Sequence, residues 1–495
     1  MSLSRRDFVR LAGLIAGGAA ASSACAPLVG RVSGAYRAPG QWTDLAPAEY
    51  RGLARLTYGP SEAEVAFVAG HGLAAWIEEQ LGMEAKDDLA IEALVRRFDV
   101  LGMQADQLEG WEQEEVLAQL RAASLQRQLY SRRQLNERLV EFWTDHFNIS
   151  VDKGDCWFLK VVDDRQVIRS HADGRFADLL HASAKSPAML VYLDNQVNEA
   201  SAPNENYARE VMELHTLGVD GGYSQRDVME LARCLTGWTV KQHFWKGQFI
   251  FEPDLHDTGD KQVIGLVIEP AGVTEAERVL DELSQHPATA SHLAHKLVQR
   301  FLTDQPAKAA PDVVQAVERS FLRSGGDLTG VYRTLLLDGF LAHLDRLPPK
   351  IKRPVDFITS CLRPLAANSD GGASLQDHLA RMGQPIFAWP TPDGPPDTAE
   401  AWSGNLLPRW QFALELAQGE IDGTAINLPA LLANAAGDEA RVADSLSRRL
   451  LGSPAEARLL SAVNQAQRSA DDLDPIDLAK LLVAGLSGSP AFQWR

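Results

Sequence analysis

The sequence predicts a predominantly α-helical, multi-helix globular protein carrying one small β-hairpin near residues 238–252. Three observations predict it. Apolar residues recur at spacings of three and four over most of the chain beyond Ala46, which lines them up on one stripe of a helix. Only one stretch carries a strand signal: Thr239-Val240 and Phe249-Ile250-Phe251 flank Lys246-Gly247, a turn pair. Hydrophobic residues make up 45% and charged residues 23% of 495, enough apolar chain for a large core and too much for a disordered one. The glycines show no three-residue period, so the chain is not collagen-like. No run of about 18 apolar residues exists, so it is not a multi-span membrane protein.

The elements follow in order. Residues 1–24 read as a twin-arginine-type signal peptide: Arg5-Arg6-Asp7-Phe8, an apolar run over 11–21 and small residues at 22–24. Cleavage after Ala24 would leave Cys25 first. Ser22-Ser23-Ala24-Cys25 resembles a lipoprotein box, with Ser22 where Leu is usual, so plain cleavage and lipidation of Cys25 both stand. Residues 25–45 mix Gly, Pro and Ala and read as a tether. Helical periods follow over 47–56, 62–69, 73–81 and 87–101, then over 114–147, where Leu135, Leu139, Phe142, Trp143 and His146 share a stripe. Further helices are expected over 167–180, from Ser186-Pro187, from Thr274 to Leu341, and after Lys352-Arg353-Pro354. Five prolines between Gly383 and Pro396 mark a long ordered loop or a boundary. The tail over 410–486 is again helical. The organisation expected is an N-terminal helical region, 46–275, with the hairpin, and a C-terminal one, 276–495, with the proline-rich loop at 383–396.

Charge and cysteine usage narrow the function. The formal charge is −18. Removing residues 1–24 changes 48 basic and 66 acidic residues to 45 and 65, leaving −20. Nucleic acid is excluded as a partner, because that affinity rests on Lys and Arg neutralising phosphates. No transmembrane segment is expected in the mature chain, so membrane attachment would need a lipid anchor. Cys156, Cys234 and Cys361 are widely spaced and form no Cys-x-x-Cys pair, which argues against a cysteine zinc site and rules out a Cys-x-x-Cys-His haem attachment.

The densest chemistry lies between Ser201 and Trp238. Pro203 stops the preceding segment, Asn204 caps a helix predicted over 205–217, and Gly218 takes the left-handed exit. At about 100° per residue, Glu205, Asn206, Arg209, Glu210, Glu213 and Thr216 share one face. Tyr207, Val211, Met212, Leu214 and His215 share the other. A second helix starts at Ser224 with Asp227 at capping-box spacing, and carries Glu230 and Arg233 off its apolar stripe. Two readings compete. In one, Arg209, Glu210, Glu213 and Arg233 form a solvated, ion-paired face. In the other they are catalytic, with His146, His215 and Glu213 as metal ligands for a divalent ion and Asn204, Asn206, Asp257 and Lys261 as binding residues. His146 and His215 each sit on an apolar stripe, which equally suits a satisfied core histidine. His292 and His295 lie one turn apart on the helix opened by Pro287. There is no His-Glu-x-x-His, Gly-x-Ser-x-Gly or Walker loop.

The run Pro203-Asn-Glu-Asn-Tyr-Ala-Arg-Glu-Val-Met-Glu-Leu-His-Thr-Leu-Gly-Val-Asp-Gly-Gly-Tyr-Ser-Gln-Arg-Asp-Val228, followed by Leu-Thr-Gly-Trp238, resembles the signature of the bacterial domain-of-unknown-function 1800 family. Arg55-Leu-Thr-Tyr-Gly-Pro60, Phe142-Trp-Thr-Asp-His-Phe147, His256-Asp-Thr-Gly-Asp-Lys261, His286-Pro-Ala-Thr-Ala290 and Gly383-Gln-Pro385 are similar to it too. The resemblance covers nearly all of the chain beyond residue 46; Val211 stands where the family usually has Leu. It implies an exported helical protein of the periplasm or cell envelope, whose genes often neighbour those of an exported sulfatase-like family. It carries over no catalytic residue. Three functions remain open: an exported, hydrolytic or metal-assisted enzyme with a pocket lined by the 204–215 helix, a non-catalytic scaffold or partner of a neighbouring exported sulfatase-like protein, and a cofactor-carrying redox protein with His146 or His215 as axial ligand.

Overall fold

The computed structural model of the chain describes residues 42–242, 246–435, 438–461, 463 and 474–495. The signal segment, Cys25 and most of the tether lie outside them. Helices dominate, and the first three, Pro47–Leu56, Glu62–His71 and Leu73–Gly82, match the expected periods closely. Ser61 opens the second with a full capping box: its hydroxyl accepts from the Glu64 N–H, and the Glu64 carboxylate accepts from the Ser61 N–H at 2.7 Å.

Three expected long helices are broken. The 87–101 pattern holds one short α-helix, Leu89–Val95, between single 3-10 turns. The 114–147 pattern becomes Gln113–Tyr130 and Gln134–His146. Neither Pro nor Gly makes this second break. The buried Asp88 carboxylate accepts from the Ser131 hydroxyl at 2.7 Å and the Arg132 N–H at 2.6 Å, offering the backbone a partner outside the helix. The 167–180 pattern splits into a π-helical turn, Asp164–Ile168, then Arg169–His171 and Phe176–Ala184.

The expected hairpin is present, Trp238–Val240 pairing antiparallel with Phe249–Phe251. Gly247 sits in its connection at φ +79°, where a side chain would be strained. Two further two-stranded sheets join Lys261–Val263 to Leu266–Ile268 and Asn368–Ser369 to Thr424–Ala425. Two or three residues are too few to leave an alternation in the sequence.

Buried apolar side chains form two clusters. The first runs from Leu53 to Leu347 and includes Trp143, Tyr207, Trp238 and Phe301. The 275/276 division expected from the sequence falls inside it. The second gathers Phe357, Phe412, Leu446 and Phe492 with Tyr58, Leu125 and Tyr130 from the earlier chain. A seam of buried charge links them. Asp356, on Pro354–Leu362, accepts from Arg138 at 2.5 Å and Arg495 at 2.8 Å. Arg353 bonds Asp145 at 2.7 Å and also Glu141, while Arg300 bonds Asp145 and, at 3.1 Å, Asp397. Each arginine meets a carboxylate, so Coulomb attraction and charge-assisted hydrogen bonds offset the heavy desolvation of these groups. Among the described residues no helix is long and apolar enough to cross a membrane, and Cys156, Cys234 and Cys361 are free and buried.

Candidate functional site

The Asn204 side chain caps the signature helix as expected, accepting from the Asn206 N–H at 2.9 Å. The helix itself departs from expectation. It is α-helical over Glu205–Glu210 and then widens into a π turn, Val211–His215. Thr216, expected on the polar face, is fully buried, and its hydroxyl donates to the Val211 carbonyl five residues back at 2.6 Å. A helix end leaves carbonyls without intrahelical donors, and here two imidazoles meet them. His292 Nε2 lies 3.1 Å from the Leu214 carbonyl, and His146 Nε2 lies 3.1 Å from that of His215. Facing a carbonyl makes Nε2 the protonated nitrogen in both rings. Gly218, at φ +81°, is needed beside them: a Cβ there would stand 2.9 Å from His292 Nδ1.

The three rings form a group, His146 lying 6.1 Å from His215 and 6.3 Å from His292, centroid to centroid. His146 Nδ1 and His215 Nε2 are buried without a hydrogen-bond partner. Burial first, and the nearby Lys296 charge second, keep all three neutral. His215 is pushed down to about 3, His292 to about 4, and His146 well below its ordinary value.

Lys296 lies one turn beyond His292 on Pro287–Phe301. Its ammonium makes no hydrogen bond or ion pair with any described residue, and burial lowers it to about 8 although Asp397 and Asp145 pull the other way. Glu210 is half-buried and likewise makes no hydrogen bond or ion pair with a described residue; burial and Glu213 raise its carboxyl above the usual range. Asp393 acts on both groups. It belongs to the proline-rich loop, which is ordered and clamped. The Asn148 amide donates to the Trp389 and Thr391 carbonyls at 3.1 and 2.7 Å, the Tyr192 hydroxyl to that of Pro390 at 2.9 Å, and the Thr391 hydroxyl to Asp393 at 2.5 Å. Gly394, at φ +75°, packs so close that a Cβ would stand 2.2 Å from the Asp145 carbonyl. Two non-glycine residues beside the site hold positive φ, Asp194 at +61° and Phe387 at +59°. Strain of this kind persists only where the surroundings impose it, and it concentrates at functional sites.

The other expected site residues fall into two sets. Asn204 and Asn206 bind the Asp194 and Leu193 carbonyls at 3.3 and 3.1 Å and so fix the helix start. Arg209 lies on the outer face, bridging Glu205 at 3.1 Å and Glu213 at 3.5 Å and bonding Gln225 at 3.0 Å. Arg233, Asp257 and Lys261 sit in a separate network. Arg233 grips Asp257 with bonds of 2.8 and 2.9 Å, which with burial opposing leaves that carboxyl at about 2. Lys261 bonds the fully buried Glu275 at 2.6 Å, and His256 meets the same carboxylate at 3.0 Å. The His256–Lys261 loop is therefore tied to Glu275 and Arg233, not to the signature helix. His146, His215 and Glu213 do not assemble as a metal set: His146 Nε2 faces a carbonyl, Glu213 turns to Arg209, and no three His, Cys, Asp or Glu among the described residues are placed to hold an ion. The sequence reading missed Lys296, Asp393, Asp145 and Glu141. For Lys296 a signal existed, a lysine one helical turn after His292.

Fold and site together define a helical protein with a π-turned helix, a histidine cluster and a clamped proline-rich loop, in which Lys296 and Glu210 are unpaired among the described residues. The chain belongs to the family described as protein of unknown function (DUF1800), whose model matches residues 51–494. No curated protein and no solved structure matches it.

Proposed function

We propose that the chain is an exported hydrolytic enzyme of the acid–base type, working at Glu210 of the signature helix and Lys296, the two groups on which Asp393 of the proline-rich loop acts. The observation that carries this reading is the pair Glu210 and Lys296, both half-buried, without hydrogen-bond or ion-pair partners among the described residues, and both acted on by the Asp393 charge. Near neutral pH Glu210 is the base that takes a proton from the attacking water. Lys296 is the cation that steadies negative charge on the reacting group and donates to the leaving group. A lowered Lys suits this work because it exchanges protons close to the operating pH, and burial with Glu213 moves the Glu210 carboxyl upward, in the direction a general base needs. The reading uses no metal.

The test is a panel of carboxylic, phosphate and sulfate esters against the full chain. Turnover should follow a bell-shaped pH profile with its upper limb near 8. Glu210→Gln and Lys296→Met should each lower kcat by about 10²–10⁴-fold with the circular dichroism spectrum unchanged. A profile without the upper limb, or variants as active as wild type, would defeat the proposal. Export is tested separately: Arg5→Lys with Arg6→Lys should hold the protein in the cytoplasm, and labelled palmitate should enter wild type but not Cys25→Ala.

A second reading, docking onto another exported protein, is favoured by one observation. Leu407, Trp410 and Leu414 stand 63, 51 and 48% exposed at spacings of three and four on Leu406–Gln418, an apolar stripe on a solvent face. Trp410→Glu should abolish co-purification with such a partner while leaving hydrolysis intact.

A further inference from the structure

A cavity of about 290 Å³ opens between the first helix, the 347–352 segment and residues 491–495. Its walls are largely apolar, with Leu347, Leu450, Leu451 and Phe492 among them. Three cations interrupt them: Arg51, which is exposed, Arg495, which pairs with Asp356 at 2.8 Å, and Lys352. Lys352 is 5% exposed, and its Nζ makes no hydrogen bond or ion pair with a described residue. The ammonium lies 3.4 Å from the Phe492 ring centroid, a cation–π contact that holds it at the cavity wall. Ser360, also in the wall and buried, has a hydroxyl that bonds no described residue.

The surrounding charge does not neutralise Lys352. Arg495 and Arg409 act on it with like charge. Asp356 is the one carboxylate acting on it, and that group already serves Arg138 and Arg495 in the seam. Desolvation therefore dominates and drives the amine down to about 7. A buried ammonium at the wall of an apolar cavity suits an anionic head group carried on a hydrocarbon chain.

We infer that this cavity binds an apolar monocarboxylate of the fatty-acid type, its head group pairing with Lys352 and Ser360 and its chain lying along Leu347, Leu450 and Phe492. A short carboxylate would leave the apolar walls empty, and a neutral alkane or alcohol would leave the lysine unpaired. A molecule with both parts matches both the cation and the apolar walls. This inference is independent of the hydrolytic reading, since no residue is shared.

The experiment is calorimetric titration of the full chain with dodecanoate and, separately, dodecanol, with Trp494 fluorescence as a second readout. Dodecanoate should bind one per chain, at least tenfold more tightly than dodecanol. Lys352→Met, which removes an unpaired buried charge at similar volume, should erase that difference. Ala54→Phe, which puts a ring into the cavity, should weaken both ligands at least tenfold and guards against a Lys352 variant that fails to fold. Equal affinity for acid and alcohol, a preference that survives Lys352→Met, binding unchanged by Ala54→Phe, or no dodecanoate bound below its micelle concentration would each overturn the assignment.

Discussion

Replacing Asp356 by alanine should be among the most damaging single changes in the molecule. One Asp356 oxygen accepts from Arg138 at 2.5 Å and from Arg495 at 2.8 Å, and the other accepts from the Arg353 N–H at 3.1 Å, closing a helix cap. Arg138 would keep Glu141 at 3.1 Å. Arg495, 5% exposed, would keep no carboxylate within ion-pair reach among the described residues. Breaking a buried pair costs about 3–5 kcal/mol, and losing the cap adds about 1. That compares with a total stability of about 5–15 kcal/mol for a folded protein. The assay is urea denaturation followed by tryptophan fluorescence. With a slope of about 3 kcal/mol/M, the midpoint should fall by about 1–2 M. Asp356→Ala combined with Arg495→Met should recover part of the loss, because the double change removes both the charge and its orphaned partner. The folded carboxyl titrates far below its unfolded value of about 3.9. Its contribution is therefore full above about pH 4 and lost as pH falls through the folded value, so wild type should weaken below pH 4 more steeply than the variant. A single substitution costing less than 1 kcal/mol, or a double costing more than the two singles summed, would refute the seam as a stabilising network.

Three further expectations follow from the histidine cluster and the loop. His146→Leu removes the donor to the His215 carbonyl and should cost about 1–3 kcal/mol, read as a lowered urea midpoint. The three neutral rings titrate below their unfolded value of about 6.5, so below that pH the unfolded chain takes up protons the folded one refuses. Stability should fall by about 2 kcal/mol per ring between pH 6.5 and 5, and His292→Asn should visibly flatten that slope. Gly394→Ala forces a side chain to φ +75° against the Asp145 carbonyl; it should cost at least about 1–3 kcal/mol and speed hydrogen exchange through residues 389–397, with an unchanged exchange map counting against the clamp.

Local rules were legible in this sequence where the partners are local. Asn204, Ser224 with Asp227, and the positive-φ exit at Gly218 all depend on neighbours within four residues, and the structure contains each. The 100° rule placed Tyr207, Val211 and Met212 inside and Arg209 outside, as observed. It failed at Thr216 because it assumes 3.6 residues per turn, whereas the turn before it is wider. What caps that wide turn comes from His146 and His292, 69 and 78 residues away from the carbonyls they meet. The break at residues 131–133 was hidden for a similar reason, since its cause is Asp88, more than 40 residues earlier. The charged seam was equally out of sight: no spacing rule pairs Arg138 with Asp356.

That seam also bears on how the protein is made. Arg138 and Asp356 are 218 residues apart, which at about 5–20 residues per second is roughly 10–40 s of synthesis. During that interval Arg138 has only Glu141 as a carboxylate partner, so the Gln134–His146 helix is expected to reach its final packing only once Asp356 has emerged. The second apolar cluster, which draws most of its residues from Val355 onward, is therefore expected to close only after Asp356 has been made. A chaperone that shields the emerging 134–146 segment should raise the yield of native protein more than one acting on the completed chain.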